Sequence, residues 1–346
     1  MESDAQNILV AHIAGLTQTT LALPALRSLR SHFLQSRITV VTSATAADLL
    51  KLAGCVDEVL PVARFRRADL LNPGTLYRSG RVWRGMKGGS YDLAVEFSTN
   101  AESGIVLQLA GARNRLNKQS NKGIAVVLER VARALPSLQK QPPKLIHAAH
   151  SYLKILEPLG VRPIESEPRL VTDRAADEAI EKLLRKHAVG MGELLIGIHT
   201  GAGAGNASWP RARFASIASR MIHNFGARVI VFAGPAERGS ARRLVAELPA
   251  KRAIAYESQK ITEFASAAAR LSLLVSNHSG PAHIAAATGT PVVVVSVSAG
   301  PSPHDLLGAH QEHIRGLHAE LISEEAVYEA ACRLLKMNRA ELLRSR

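Results

Sequence analysis

Short β-branched runs alternate with helical stretches along this chain, and that alternation limits the possible folds more than any single motif does. NILVAHIAG, residues 7–15, is a strand-like run ending in glycine. TQTTLALPALRSLRSHF behind it carries apolar residues at every third or fourth place, the period of a helix. ITVVTS (38–43), ATAADLLKLAG and VDEVLPV repeat the order strand, helix, strand. YDLAVEF (91–97), the helix ESGIVLQLAGA, a basic loop and the helix HAAHSYLKILEPLG continue it. Such alternation predicts a parallel sheet covered by helices on both faces.

A second alternating series follows: LLIGIHTG (194–201), a helix from about Arg211 to Phe225, ARVIVFAG (227–234), a helix from Ala236, LSLLVSN (271–277), a helix from Pro281 and PVVVVSVS (291–298). Between the two series, VRPIESEPRLVTDRAA has two prolines and little periodicity, the look of a linker. The expected organisation is a first domain at 1–162, a linker at 163–176 and a second domain at 177–346, both doubly wound α/β. A length of 346 residues is enough for two such cores.

Composition narrows the function. Aromatic residues make up 4% of the chain within 47% hydrophobic content, so Ala, Leu, Val and Ile must build the cores. A net charge of +14 favours phosphates, anionic lipid or nucleic acid as partners. No helix-turn-helix, RRM or KH signature supports nucleic acid. Cys55 and Cys332 stand far apart outside any CxxC spacing, which fits a reducing compartment and gives neither a zinc site nor a disulfide framework. The start, MESDAQNILV, has no basic segment leading into an apolar one, and no apolar window is long enough to span a bilayer. The expectation is a cytoplasmic protein.

Ligands of open parallel sheets bind beyond the carboxyl ends of the strands. One such end, HTGAGAGNASWP, carries Gly201, Gly203 and Gly205 between a strand and a helix, where bare backbone lets amides approach a phosphate. It matches neither the dinucleotide fingerprint nor the P-loop, and a plain flexible loop is the other reading. SNHSGPAH places Ser279 and Gly280 at a strand end and Pro281 in a helix's first turn, with His283 one step further. His283 is either a satisfied half-buried histidine or a ligand contact. Glu237 follows a strand in AGPAERG, where it either complements a helix dipole or accepts from ribose hydroxyls. Arg64, Arg66, Arg67, Arg81 and Arg84 crowd one stretch with Tyr77 and Trp83 interleaved; a solvated basic face is the plain reading, and an acidic acceptor or a membrane surface the functional one.

Four stretches in this order resemble glycosyltransferase family 9, the ADP-heptose:lipopolysaccharide heptosyltransferases: ILVAHIAGLTQTTLALPALRSLR, IGIHTGAGAGNASWPRARFASIA, VFAGPAERGSARRL and LVSNHSGPAHIAAATGTPVVVV. The resemblance implies a GT-B architecture, two Rossmann-like domains facing a cleft, with the acceptor on the first and the nucleotide-sugar on the second. It implies inverting transfer of a heptose or related sugar from an ADP-linked donor to an anionic glycolipid of the lipopolysaccharide core, at the inner face of the inner membrane, with no obligatory metal. Thr200, Gly201, Gly203, Glu237, Ser279, Gly280 and His283 would then hold the donor, with Glu237 on the ribose.

The chain departs from the family at three charged positions. Gln18 stands where the family has its general-base Asp, Ala207 where it has a phosphate-binding Lys, and His278 where Asn-Asp-Ser-Gly has its Asp. Gln cannot take a proton, so His12 or Glu96, near first-domain strand ends, would have to serve as base. The alternative is a non-catalytic relative that binds a nucleotide, sugar or partner in envelope assembly.

Overall fold

The computed structural model describes residues 5–62, 90–98, 100–116, 146–190, 192–202, 208–249, 251–257, 260–308 and 310–344. Arg64, Arg66, Arg67, Arg81, Arg84, Gly203 and Ala207 lie outside the described residues. The chain divides into two compact units, Met1–Ser166 and Glu167–Arg346.

In the first unit, strands β1 (Asn7–His12), β2 (Arg37–Ser43), β3 (Glu58–Val62), β4 (Leu93–Glu96) and β5 (Asn114–Leu116) form a sheet in the order β3-β2-β1-β4-β5. Every neighbouring pair is parallel. Helices α1 (Leu16–His32), α2 (Ala44–Ala53) and α3 (Ala101–Leu109) each join two successive strands, and α4 (Ala148–Leu156) follows β5. Ile8 to Ala11 are buried without exception, because a parallel strand covered on both faces has no solvent side to accommodate polar alternation. The strand order reverses between β1 and β4, and there the connections leave to opposite faces and open a crevice at the carboxyl ends.

The second unit repeats the plan. Helix α5 (Arg174–Lys186) leads into β6 (Leu195–His199), α6 (Arg211–Phe225), β7 (Arg228–Phe232), α7 (Ser240–Val245), β8 (Ala253–Tyr256), α8 (Ile261–Ala268), β9 (Leu273–Asn277), α9 (Gly280–Ala287), β10 (Val292–Val297), β11 (Gln311–Gly316) and α10 (Glu324–Arg344). The six strands run β11-β10-β9-β6-β7-β8, again all parallel. One face packs Ile196, Ile198, Val229, Val231, Val293 and Val295 against Trp209, Phe214, Ile217 and Met221. Burying a side chain of this size contributes roughly 1.5–3 kcal/mol, so this layer is a major source of the unit's stability. The switch point here falls between β6 and β9. Among the described residues no helix is long and apolar enough to cross a membrane.

Candidate functional site

The carboxyl ends of β6 and β9 lie side by side at the second unit's switch point, and a single asparagine joins them. Asn277 donates through Nδ2 to the Thr200 carbonyl at 2.6 Å and accepts through Oδ1 from the Trp209 amide at 3.0 Å. Trp209 is itself anchored, its Nε1 donating to the Ile322 carbonyl at 3.1 Å. Thr200 is thus fixed from below by a buried side chain, and Gly201 follows it. Glu237, in the single 3₁₀ turn after β7, reaches across to this glycine: a Cβ at Gly201 would overlap the Glu237 carboxylate. Ser279 caps α9 in an extended conformation, and Pro281 in the first turn withdraws no amide that the helix would have used. The first-turn amides of a helix have no intrahelical partner and carry its positive dipole end, so this start favours an anion.

His199, the last residue of β6, connects these parts. Its Nδ1 lies 3.3 Å from Ser276 Oγ and 3.4 Å from Ser279 Oγ, and its Nε2 lies 3.8 Å from Glu237 Oε2. Burial pushes the imidazole down to about 4, so at neutral pH it is uncharged and its approach to Glu237 is not an ion pair. Burial pushes the Glu237 carboxyl up, opposed in smaller part by a hydrogen bond to the Gly234 backbone. Glu237 Oε2 is buried and makes no hydrogen bond among the described residues. A half-buried carboxylate with unused acceptor capacity suits a ligand that brings hydroxyl donors.

His278 is held differently. Its amide donates to the Val295 carbonyl and its Nε2 lies 2.9 Å from the His304 carbonyl. A carbonyl only accepts, so Nε2 carries a hydrogen. The ring meets His283 edge-on, with centroids 5.4 Å apart, and His283 is buried in the first turn of α9.

In the first unit, β1 and β4 end together, and register decides where their polar residues point. Ala11 pairs with Glu96, so Glu96 projects to the face of Ala11 and Ala94, which packs against Val106 and Leu107 of α3. His12 projects to the other face, fully buried, edge-on to Phe97 at 6.1 Å and to Tyr152 of α4 at 5.5 Å. Its Nδ1 lies 3.3 Å from Ser98 Oγ. Burial pushes His12 down to about 4 against a smaller opposing effect of the Gln18 backbone. Glu96 is partly exposed, and burial raises its carboxyl. Gln18 sits in the first turn of α1, also partly exposed, with Oε1 at 3.4 Å from where a Gly15 Cβ would stand.

The structure therefore gathers Thr200, Gly201, Glu237, His278, Ser279, Gly280 and His283 at one switch point, and Gln18 and Glu96 near the ends of β1 and β4. Sequence reasoning missed His199, Ser276 and Asn277, which hold the first group together. The one signal for them was position, each being polar at the end of an apolar strand. No cluster of three or more His, Cys, Asp or Glu side chains that could hold a metal occurs among the described residues.

Solved structures share this architecture. A glycosyl transferase family 9 protein from Veillonella parvula superimposes with TM-score 0.81 over 97% of this chain and 99% of its own, at 21% identity. The Escherichia coli ADP-heptose LPS heptosyltransferase II gives 0.73 at 18% identity, over 96% of this chain and 99% of its own. The Escherichia coli heptosyltransferase WaaC, solved with ADP, gives 0.74 at 16% identity over the same shares. Two parallel sheets flanked by helices in this manner define a glycosyltransferase fold of the GT-B class. A provisionally named glycosyltransferase of Haemophilus influenzae is 21% identical over 83% of this chain and 81% of its own length. The family model described as glycosyltransferase family 9 (heptosyltransferase) matches residues 79–332, most of the chain. The protein belongs to glycosyltransferase family 9.

Proposed function

We propose that this protein transfers a heptose or related sugar from an ADP-linked donor to an anionic glycolipid of the lipopolysaccharide core, with inversion, while bound peripherally at the cytoplasmic face of the inner membrane. The observation that carries this reading is the second unit's switch point, where Glu237 Oε2 is buried without a hydrogen bond among the described residues, alongside the α9 N-terminus. The carboxylate accepts from ribose hydroxyls, while Ser279, Gly280 and the helix dipole receive the diphosphate. ADP is bound by the related heptosyltransferase WaaC. The diphosphate charge is met by amides and hydroxyls, and the transfer uses no obligatory metal.

Glu96 is the general base in this reading. Its carboxyl is raised by burial and partly exposed, and a stronger carboxylate base takes a hydroxyl proton more readily. His12 is enclosed by Phe97 and Tyr152, and burial holds its conjugate acid down to about 4, which leaves the imidazole a weak base. Gln18, able to donate and accept, orients the acceptor hydroxyl.

The test is turnover of ADP-heptose on a heptose-deficient core lipid, by wild type and Glu96→Gln. Wild-type transfer that falls about 10² to 10⁴-fold in the variant supports the assignment. ADP binding without transfer to any core acceptor would instead favour a non-catalytic relative.

A further inference from the structure

We propose that Asn277 and Asn100 are matched positioning residues, Asn277 setting the donor half of the reaction and Asn100 the acceptor half. The inference rests on the reading of the β6/β9 switch point as the donor site and of the ends of β1 and β4 as the place of the acceptor. The same set of contacts occurs at both. Each of β6 and β1 ends in a buried histidine, His199 or His12, whose Nδ1 lies 3.3 Å from the Oγ of Ser276 or Ser98, on or just beyond the neighbouring strand. The carbonyl of the residue after each histidine accepts from an asparagine: Thr200 from Asn277 Nδ2 at 2.6 Å, and Ile13 from Asn100 Nδ2 at 2.7 Å. Each asparagine also accepts through Oδ1 from a main-chain amide, that of Trp209 at 3.0 Å or of Ser103 at 2.9 Å. A carbonyl only accepts and a main-chain amide only donates, so both side-chain amides have a single possible orientation. Neither a carboxylate nor an apolar side chain satisfies both partners. The sequence hides the repeat, because serine and asparagine are adjacent in one unit and separated by Thr99 in the other.

What each asparagine holds is different. Asn277 ties Thr200 and Trp209 to the end of β9, so both ends of the connection from β6 to α6 are fixed by one side chain. Asn277 is itself buried, and it acts on a nucleotide through Thr200 and Gly201, the glycine against which the Glu237 carboxylate rests. Asn100 spans the other switch point. It caps α3 through the Ser103 amide and holds Ile13, just ahead of Gly15 at the start of α1. Helix α1 carries Gln18 in its first turn, and α3 packs over the face to which Glu96 projects. Asn100 therefore fixes the orienting amide of Gln18 relative to the base Glu96. Loss of either asparagine leaves a strand-end carbonyl without its donor, and that chain end shifts.

The experiment compares Asn277→Ala and Asn100→Ala with wild type by calorimetric titration of ADP and by initial rates with ADP-heptose and a heptose-deficient core lipid. Asn277→Ala should weaken ADP and raise KM for ADP-heptose about tenfold or more, with KM for the core lipid within about twofold of wild type. Asn100→Ala should leave ADP affinity within about twofold and, at saturating donor, lower kcat/KM for the core lipid about tenfold or more. A general loss of stability would lower both halves together, so the crossed pattern is the signature of positioning. Side-chain amide resonances of the unsubstituted protein give the same answer without dependence on how the variants fold. ADP should shift the Asn277 amide pair and leave that of Asn100 in place, and the core lipid should do the reverse. Variants that impair both halves alike or neither, or equal shifts at the two amides, overturn the pairing and leave the donor site standing. ADP binding without transfer by wild type overturns the role given to Asn100, and failure of ADP to bind wild type overturns the donor site together with the pairing.

Discussion

The Glu237 carboxylate rests against the Cα of Gly201, in the volume that a side chain at position 201 would fill. The glycine is there for close approach: a residue from beyond β7 lies over the end of β6 only because no Cβ stands between them.

Gly201→Ala should therefore displace Glu237 while leaving the sheet intact. Losing one charge-assisted contact of roughly 1.5–3 kcal/mol weakens ADP by about 10- to 100-fold. Paired calorimetry and thermal melting check this, with affinity changed and melting temperature nearly constant.

The pH profile of transfer should show its acid limb above the ordinary carboxylate range. Burial raises Glu96, and a base works only when deprotonated, so the rate falls as pH drops through that raised value. Glu96→Asp should retain a limb, and Glu96→Gln should have none.

Asp177 offers a test of the fold away from the site. Burial works to raise its carboxyl, but hydrogen bonds from Ser266, Arg270 and Thr172 outweigh it and hold the group low. A carboxylate with a depressed folded pKa stabilises above its unfolded value, and that contribution disappears as pH falls through the folded one. Asp177→Asn should cost roughly 1–3 kcal/mol at pH 7, with the gap to wild type closing in acid. Urea titrations across pH measure it.

Trp209→Phe should be tolerated better than its burial suggests. The substitution removes the Nε1 bond to the Ile322 carbonyl, yet Arg213 Nη1 also donates there at 2.6 Å, so no acceptor is orphaned. A loss of about 1 kcal/mol is expected, against about 3–5 for Trp209→Ala. Urea midpoints distinguish the two.

Much of the sheet architecture was legible because buried parallel strands read as unbroken apolar runs, as in VVVVSV of β10. Strand β11, QEHIRG, was not legible: it lies at the sheet edge with one neighbour and lacks any apolar run. Strand β8, AIAY, is the opposite edge and too short to announce itself. Glu237, Ser279 and His283 stood out through their glycine and proline neighbours. His199 did not, because its role depends on β6 lying between β7 and β9, an adjacency that chain order does not disclose. Likewise His12 and Glu96 look equivalent as strand-end residues, and only the pairing of Ala11 with Glu96 sends them to opposite faces.

The most direct measurement is ADP titration into wild type and Glu237→Ala, followed by calorimetry, with GDP and UDP as comparators. We expect saturable binding of ADP to wild type, weakened at least about tenfold by the loss of the carboxylate. Absence of saturable binding, or equal affinity in the two proteins, would contradict a donor site at the β6/β9 switch point.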